Sequence, residues 1–233
     1  MQAAALGATP PGQLLWRARL DAAIHRSRKV RGANYVQLAT VDKAGAPHVR
    51  TVVFRGFEPA AGEFGCVMRM ITDTRSDKIE QLRTNPLGEL VWWFARSAEQ
   101  FRVSGSVEIV DASPCGGDAE ALLAARRAQW GNLSDRAREQ FFGPAPGTPF
   151  PQGPSEPSGE VAVAAVPVGG RGDDGRVLPP PECFALLLLR PRRVDHLCLD
   201  GNERHLDVCS AQGAALPEGS SFDDVWATRR IVG

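Results

Sequence analysis

The chain has 233 residues, enough for one domain with a sizeable core and too few for two full domains. Its 27 basic and 27 acidic residues balance, so no broad positive field favours binding to nucleic acid or to an anionic membrane surface. The longest apolar run, around residues 183–189, is far shorter than the ~20 residues needed to cross a bilayer. The first residues also lack the basic start and apolar core of a signal peptide, and these features together predict a cytoplasmic protein.

The N-terminal part predicts a helix followed by a β-hairpin. Leu14, Ala18 and Ala22 recur every four residues, with Leu15 and Trp16 beside this stripe, which indicates an amphipathic helix over residues 12–27. Two runs rich in β-branched and aromatic residues then flank residues 42–45, where a glycine can adopt the positive φ that a turn needs.

The next segment predicts a third strand that runs directly into a short helix. Thr74 or Ser76 can cap this helix, which carries Ile79 and Leu82 inward and stops before Pro86. Two further strands follow, ELVWWF and QFRVSGSVEIV, and the first of them is expected to send one of its two tryptophans into the core.

The second half predicts helices, a long loop and C-terminal strands. Residues 117–142 are rich in strong helix formers and predict one or two helices. Residues 143–181 are dense in Gly and Pro and predict a long loop, with a short edge strand as one interpretation of EVAVAAVPV. Residues 182–233 predict a buried strand, a turn and a returning strand. With a barrel core at residues 33–111, we expect a single domain over residues 1–233.

One candidate phosphate ligand lies on the second strand of the hairpin. Alternation puts Arg50 on the same face as Val52 and Phe54, and Arg55 on the opposite face. The planar fork of arginine suits phosphate, because it donates two parallel hydrogen bonds and keeps its charge near neutral pH. Taken alone, however, an arginine on a half-buried strand more often has a solvated head group.

A second candidate phosphate site lies where the third strand meets the short helix. Unpaired N–H groups at a helix N-terminus, a hydroxyl at Ser76 and cations at Arg75 and Lys78 form a donor set that suits a phosphate dianion. An ordinary capped helix with exposed charges explains the same residues equally well.

Gln100, at the start of a strand, is a third candidate. Its amide carries both a donor and an acceptor and is able to recognise the edge of a flavin ring, although a strand-end glutamine in water needs no ligand.

Other chemistries are disfavoured by spacing. The five cysteines are odd in number, widely spaced and without a C-x-x-C pair, which predicts reduced, mostly buried thiols. His196, Cys198, His205 and Cys209 have the atoms for zinc, but their spacing differs from that of structural sites, and we expect no metal. The sequence contains no G-x-S-x-G, P-loop or G-x-G-x-x-G motif.

The motifs in this order resemble a known family. QLATVDKAGAPHVRTVVFRGF, ITDTRSDKIEQLRTNP, ELVWWF and EQFRVSG are similar to the FMN-binding split barrel of pyridoxamine 5'-phosphate oxidase, in particular to its bacterial and plant FMN-binding subfamily of unassigned substrate. The resemblance covers residues 12–110 closely and the C-terminal strands loosely. It implies a mainly β fold, an antiparallel six-stranded split β-barrel with peripheral helices, and a homodimer with FMN in a cleft between subunits.

The resemblance also implies roles for individual residues. Arg50, Ser76 and Lys78 would bind the FMN phosphate, with Thr72 nearby, and Gln100 would meet the ring. Backbone groups of Thr51, Val52 and Val53 would face the isoalloxazine.

The chain departs from the family pattern at two places. The family's serine-arginine-lysine triplet is Ser76-Asp77-Lys78 here, and we expect Arg75 to replace the missing cation. At the substrate side the family's tyrosine and its arginine-x-histidine pair are not reproduced, which leaves Arg55, Trp130 and Arg204 as candidate substrate contacts.

These observations lead to one hypothesis and two alternatives. The hypothesis is an FMN-dependent oxidoreductase of the pyridoxamine-phosphate-oxidase type that acts on a small-molecule substrate. The alternatives are a non-catalytic flavin carrier or sensor, and a β-barrel interaction module without flavin.

Overall fold

The computed structural model describes residues 14–58, 65–114, 118–148, 167–210 and 226–232. Its helices are α1 (Leu15–Ser27), α2 (Asp77–Thr84), α3 (Ala119–Gly131) and α4 (Asp135–Glu139), with a 3-10 turn at Val168–Gly170. Its strands are β1 (Tyr35–Val41), β2 (Pro47–Val53), β3 (Met68–Asp73), β4 (Leu87–Phe94), β5 (Glu99–Val110), β6 (Phe184–Cys198), β7 (Glu203–Cys209) and β8 (Trp226–Ile231).

The described strands form one eight-stranded sheet in the order β2-β1-β4-β5-β6-β7-β8, and β3 pairs with β6. The pairings β1–β2, β1–β4, β4–β5, β6–β7 and β7–β8 are antiparallel. The mainly β fold with flanking helices is therefore confirmed, with eight strands where six were predicted. The C-terminal segment accounts for three of them, because its last residues form β8 in addition to the predicted β6 and β7.

The first hairpin forms as its sequence predicts. Gly45 has φ of 85°, and the Asp42 carboxylate accepts hydrogen bonds from the backbone N–H groups of Ala44 and Ala46 at 2.9 Å. The turn is thus fixed by one glycine and one side chain, and β2 pairs with β1 in a single register along its whole length.

Helix α1 buries only part of the predicted stripe. Leu14 is buried, as is Trp16 beside it, together with Leu20 and Ala23, whereas Ala18 and Ala22 are only half-buried. The indole of Trp16 packs 5.6 Å from that of Trp226, and burying this large ring determines how the helix is rotated. Four-residue spacing alone predicted the helix and missed its rotation.

The chain divides into two compact units, which are described separately. The first contains the described residues within 1–70, 81–108 and 187–233, and the second those within 71–80 and 109–186. In the first unit Trp92 is buried and stacks on Phe94 at 5.0 Å, whereas Trp93 is exposed, as predicted for this pair. In the second unit Trp130 packs against Phe141 and Phe184. The single-domain organisation stays a prediction.

The segment predicted as helical contains two helices, α3 and α4. Of the predicted long loop, residues 149–166 lie outside the described residues, and with them most of EVAVAAVPV. None of the described helices is long and apolar enough to span a membrane. Cys66 and Cys209 are buried reduced thiols, Cys183 and Cys198 are half-buried reduced thiols, and Cys115 lies outside the described residues.

Candidate functional site

Three polar side chains converge where β3 ends and α2 begins. The Lys78 Nζ lies 2.9 Å from Ser76 Oγ and 3.1 Å from Thr72 Oγ1. Thr72 and Ser76 are buried and Lys78 is half-buried. Lys78 donates to both hydroxyl oxygens here, and an ammonium group beside two hydroxyl groups is a set of side chains that suits a phosphate group.

The local sequence explains this convergence. The Ser76 hydroxyl donates to the Asp73 carbonyl oxygen at 2.7 Å, which closes a tight turn after the strand. The helix then begins at Asp77, and Lys78 falls in its first turn, beside the residue that precedes the helix. Ile79 and Leu82 are buried as predicted and fix the rotation of the helix.

Arg75 is positioned by a different partner. Its guanidinium binds the Asp73 carboxylate through two nitrogens, with Nη2–Oδ2 at 2.6 Å and Nε–Oδ1 at 2.9 Å, and it also donates to the Gly143 carbonyl oxygen. The hydrogen bond to Asp73 raises the pKa of Arg75. This ion pair directs the charge of Arg75 toward Asp73. The geometry therefore does not support the expectation that Arg75 replaces the cation that the family has at position 77.

Arg50 is held by three uncharged acceptors. Its Nη1 donates to Thr40 Oγ1 at 2.6 Å and to the Leu38 carbonyl oxygen at 3.2 Å, and its Nη2 donates to Gln81 Oε1 at 2.8 Å. Thr40 and Gln81 are both buried, and the Thr40 hydroxyl donates to Gln81 Oε1 at 2.5 Å. These contacts fix the plane of the guanidinium.

Thr51 and Gln100 lie on one face of the sheet. The register pairs Thr51 with Gln37, Gln37 with Val91, and Trp93 with Gln100, and paired residues point to the same side. Val52, which alternates with Thr51, is buried on the opposite side, as predicted, and Val53 is half-buried. We call the Thr51 side the outer face. Exposed large side chains cover much of it: Tyr35, Val49, Leu87 and Trp93.

Arg55 follows β2 and carries a buried donor. Its backbone N–H donates to the Arg69 carbonyl oxygen at 2.8 Å, which continues the extended chain. Its Nε is buried and has no hydrogen-bond partner within the described residues. Burial lowers the pKa of Arg55. A buried donor without a partner costs free energy.

Trp130 and Arg204, the other candidate substrate contacts, are engaged elsewhere. Trp130 is buried among the aromatic rings of the second unit, and its Nε1 donates to the Leu178 carbonyl oxygen at 2.6 Å. Arg204 forms a bidentate pair with Asp195, with nitrogen–oxygen distances of 2.8 and 2.7 Å. These placements favour a packing role for Trp130 and an ion-pair role for Arg204 over the predicted contacts with a substrate.

The histidines of the C-terminal hairpin also have protein partners. His196 Nε2 lies 3.1 Å from Glu99 Oε1, and its ring stacks on Phe101 at 4.2 Å. His205 is its cross-strand partner. Across the described parts of the chain, no three His, Cys, Asp or Glu side chains converge as metal ligands.

Sequence reasoning missed Thr40 and Gln81. Both are ordinary polar residues on a strand and a helix, and nothing in their spacing indicates that they meet. Only the tertiary structure brings them to Arg50, because β1 and α2 are separated by 35 residues between Val41 and Asp77.

These donors fit FMN, the cofactor that the motifs imply. An ammonium group with two hydroxyls, and a guanidinium held by neutral acceptors, have the chemistry of phosphate ligands. On the outer face, the amide of Gln100 beside the indole of Trp93 matches a flat ring with carbonyl and N–H groups at its edge.

Comparison with known proteins agrees with this assignment. The family model for the pyridoxamine 5'-phosphate oxidase, FMN-binding domain, matches residues 13–111. Pyridoxine/pyridoxamine 5'-phosphate oxidase 2 of Arabidopsis thaliana is 38% identical over 189 residues, which cover 81% of this chain and 85% of the plant protein. The pyridoxine/pyridoxamine 5'-phosphate oxidase of Hyphomonas neptunium is 34% identical over 104 residues, which cover 45% of this chain and 43% of that protein.

Solved structures support the same fold. A pyridoxamine 5'-phosphate oxidase-related, FMN-binding protein from Nostoc punctiforme is 33% identical to this chain and has a TM-score of 0.72. The match covers 95% of this chain and 99% of the Nostoc chain. PhzG of Burkholderia lata is 15% identical and has a TM-score of 0.62, over 96% of this chain and 94% of the PhzG chain. At this identity the match shows a shared fold only. The fold is thus the antiparallel split β-barrel. The chain belongs to the pyridoxamine 5'-phosphate oxidase family of FMN-binding proteins, and FMN is its cofactor.

Proposed function

We propose that this protein is an FMN-dependent oxidoreductase that acts on a small molecule. Lys78, Ser76, Thr72 and Arg50 bind the FMN phosphate in this proposal. The observation that carries it is the convergence of the Lys78 ammonium on the two buried hydroxyls, at 2.9 and 3.1 Å. An ammonium group beside two hydroxyl groups is suited to one dianion, and the Arg50 guanidinium, hydrogen-bonded to Thr40 and Gln81, suits the same role.

The outer face orients the flavin ring in this proposal. The Gln100 amide recognises the ring edge, and backbone groups of Thr51, Val52 and Val53 line the ring. Bound FMN supplies the redox chemistry, in which it accepts a hydride equivalent from the substrate and passes the electrons to an acceptor. The protein contributes orientation and electrostatics, and we assign no catalytic acid or base.

Arg55 is the proposed substrate ligand. Its side chain is half-buried, and its guanidinium has the charge and geometry to bind an oxygen of an anionic substrate. The Arabidopsis relative is named for oxidation of pyridoxine and pyridoxamine 5'-phosphates, and these two compounds are therefore the first substrates to test. The absence of the family's tyrosine and arginine-x-histidine pair from the sequence means that other small amines and alcohols belong in the same screen.

The working form in this proposal is a homodimer that joins at the outer face. Val49 is 69% exposed, Leu87 61%, Tyr35 52% and Trp93 45%, which is unusual for apolar side chains on neighbouring strands. A second copy of the chain would cover this face. FMN would then lie at the subunit interface, because Thr51 and Gln100 belong to the same face.

The first experiment is an absorption spectrum of the purified protein with and without added FMN, followed by anaerobic mixing with candidate reductants. We expect a bound-flavin spectrum that is bleached by pyridoxamine 5'-phosphate, pyridoxine 5'-phosphate or another small reductant. A protein that binds FMN and is bleached by none of these compounds or by reduced nicotinamides would contradict the oxidoreductase and favour a flavin carrier.

A further inference from the structure

Tyr35 lies diagonally across from Arg55 on the outer face. The register pairs Tyr35 with Val53, two residues before Arg55. The backbone N–H of Phe54 donates to the Asn34 carbonyl oxygen at 2.8 Å, which continues the pairing beyond the end of β2. Phe54 is buried, so the alternation of side chains along this extended chain points Arg55 to the side of Tyr35. Diagonal neighbours on one face are within reach of each other when one is aromatic and the other is long.

The electrostatics of Arg55 agree with this placement. Burial lowers the pKa of Arg55, and its interaction with Tyr35 opposes that effect. Because such an interaction weakens with distance, the phenol and the guanidinium lie near each other.

The ring of Tyr35 is held in place although the residue is 52% exposed. Its backbone N–H donates to the Gly32 carbonyl oxygen at 2.8 Å, and Gly32 has φ of 76°. A Cβ built at Gly32 would lie 3.1 Å from Tyr35 Cδ2, so the ring packs on the bare backbone of this turn. An exposed phenol that is already fixed loses little conformational freedom when it binds a ligand.

Tyr35 also lies beside the residues assigned to the flavin ring. The pair Gln37–Val91 joins β1 to β4. Tyr35 and Trp93 lie two residues further along these antiparallel strands and point to the same face. Trp93 pairs with Gln100, the proposed ligand of the ring edge. Because β1 lies between β2 and β4 in the sheet, Tyr35 lies between the Arg55 side and the flavin side of the outer face.

We propose that Tyr35 is a second substrate ligand, whose phenol donates a hydrogen bond to the anionic group that Arg55 binds. This inference rests on the proposed role of Arg55 and deepens it by naming the substrate class, which is a phosphate monoester. A guanidinium donates to two oxygens in parallel, and the phenol adds a third donor. Three donors match the three terminal oxygens of a phosphate monoester, whereas a carboxylate offers only two oxygens.

The test uses full-length protein with FMN in excess and a probe that cannot be oxidised. In 4-deoxypyridoxine 5'-phosphate a methyl group replaces the group that a flavin would oxidise, and 4-deoxypyridoxine has the same ring and no phosphate. Calorimetric titration of the native protein should give binding of the phosphate form that is tighter by about tenfold or more. For Tyr35→Phe, which keeps the ring and removes the hydroxyl, we expect affinity for the phosphate form about tenfold weaker and affinity for 4-deoxypyridoxine unchanged. Ser134→Ala removes an exposed hydroxyl just before α4 and is the control, which should change neither affinity.

A second readout is specific to Tyr35, because it is the only tyrosine in the sequence. Incorporation of 3-fluorotyrosine therefore places fluorine at this residue alone. We expect 4-deoxypyridoxine 5'-phosphate to shift the fluorine resonance in the native protein and not in Arg55→Ala at the same concentration. The probe without phosphate should shift it less.

Arg55→Ala separates failure of this inference from failure of the proposed substrate site. If Arg55→Ala weakens binding of the phosphate form, but Tyr35→Phe binds it as tightly as the native protein or loses affinity equally for both probes, the role of Tyr35 alone is wrong. If Arg55→Ala binds the phosphate form as tightly as the native protein, or if the native protein does not prefer that form, the proposed role of Arg55 is wrong, and the role of Tyr35 is wrong with it.

Discussion

Glu99 illustrates at the scale of one residue how the chain stabilises buried charge. Burial raises the pKa of Glu99, but its contacts with His196 and Arg26 are among the effects that outweigh burial and lower the pKa to about 2, from an ordinary value of 4.5. A carboxyl with a lowered pKa stabilises the folded state at pH values above 4.5. That contribution is lost as the pH falls from 4.5 toward 2.

We therefore expect Glu99→Gln to reduce the free energy of unfolding at pH 7 and to reduce it less at pH 3. Urea unfolding of the native protein and the variant at both pH values measures the difference. Glu120→Gln, at an exposed position in the first turn of α3, is the control and should change stability little at either pH. A stability difference for Glu99→Gln that is the same at pH 7 and pH 3 would contradict this account of the pKa.

Residue types predicted the candidate ligands better than they predicted their partners. Lys78, Ser76 and Thr72 converge because all three lie at or next to the single turn that joins β3 to α2, so they are neighbours in the sequence as well as in space. Arg75 lies in the same turn, yet its charge is directed at Asp73, and only the conformation of the turn reveals this pairing. Trp130 is engaged in packing, since an aromatic residue in a helix is equally suited to a core and to a ligand site.

At the scale of elements, β5 and β6 approach each other unusually closely at Gly105. A Cβ built at this position would lie 1.9 Å from the Arg190 carbonyl oxygen and 2.8 Å from its carbonyl carbon. Both are backbone atoms, so a side chain here would force the two strands apart. Gly105 therefore makes this close approach of the two strands possible.

We expect Gly105→Ala to lower the free energy of unfolding by about 1–3 kcal/mol or to prevent folding, as overpacking of a core does. Chemical denaturation followed by circular dichroism measures the loss. Gly131→Ala, at the end of α3, is the control, because its added methyl would meet no described atom within 4 Å. A Gly105→Ala variant as stable as this control would show that the strands separate without cost.

The elements themselves were predictable where a local signal determines them. The β1–β2 hairpin follows from Asp42 and Gly45, and α2 follows from the turn before it and the inward positions of Ile79 and Leu82. The rotation of α1 was not predictable, because it depends on Trp226, which lies 210 positions later in the chain. The eighth strand was missed for the same reason, since β8 is defined by its pairing with β7.

At the scale of the whole molecule, the outer face should control both assembly and cofactor binding. We expect Val49→Asp to convert the proposed dimer to a monomer and to weaken FMN binding, because a carboxylate in an apolar interface is costly to desolvate. Size-exclusion chromatography with light scattering gives the mass, and flavin titration gives the affinity. Leu199→Asp, at an exposed turn residue, is the control. A Val49→Asp protein that remains dimeric would contradict this interface.

The most direct measurement is FMN binding by apoprotein in which Arg50 and Lys78 are both replaced by alanine. We predict a protein that remains folded and binds riboflavin, which lacks the phosphate, as the native protein does. Its FMN affinity should fall by about 100-fold or more, since two charge-assisted contacts are removed. Each single variant should show a smaller loss. A folded double variant that binds FMN as tightly as the native protein would contradict the assignment of these two cations to the FMN phosphate.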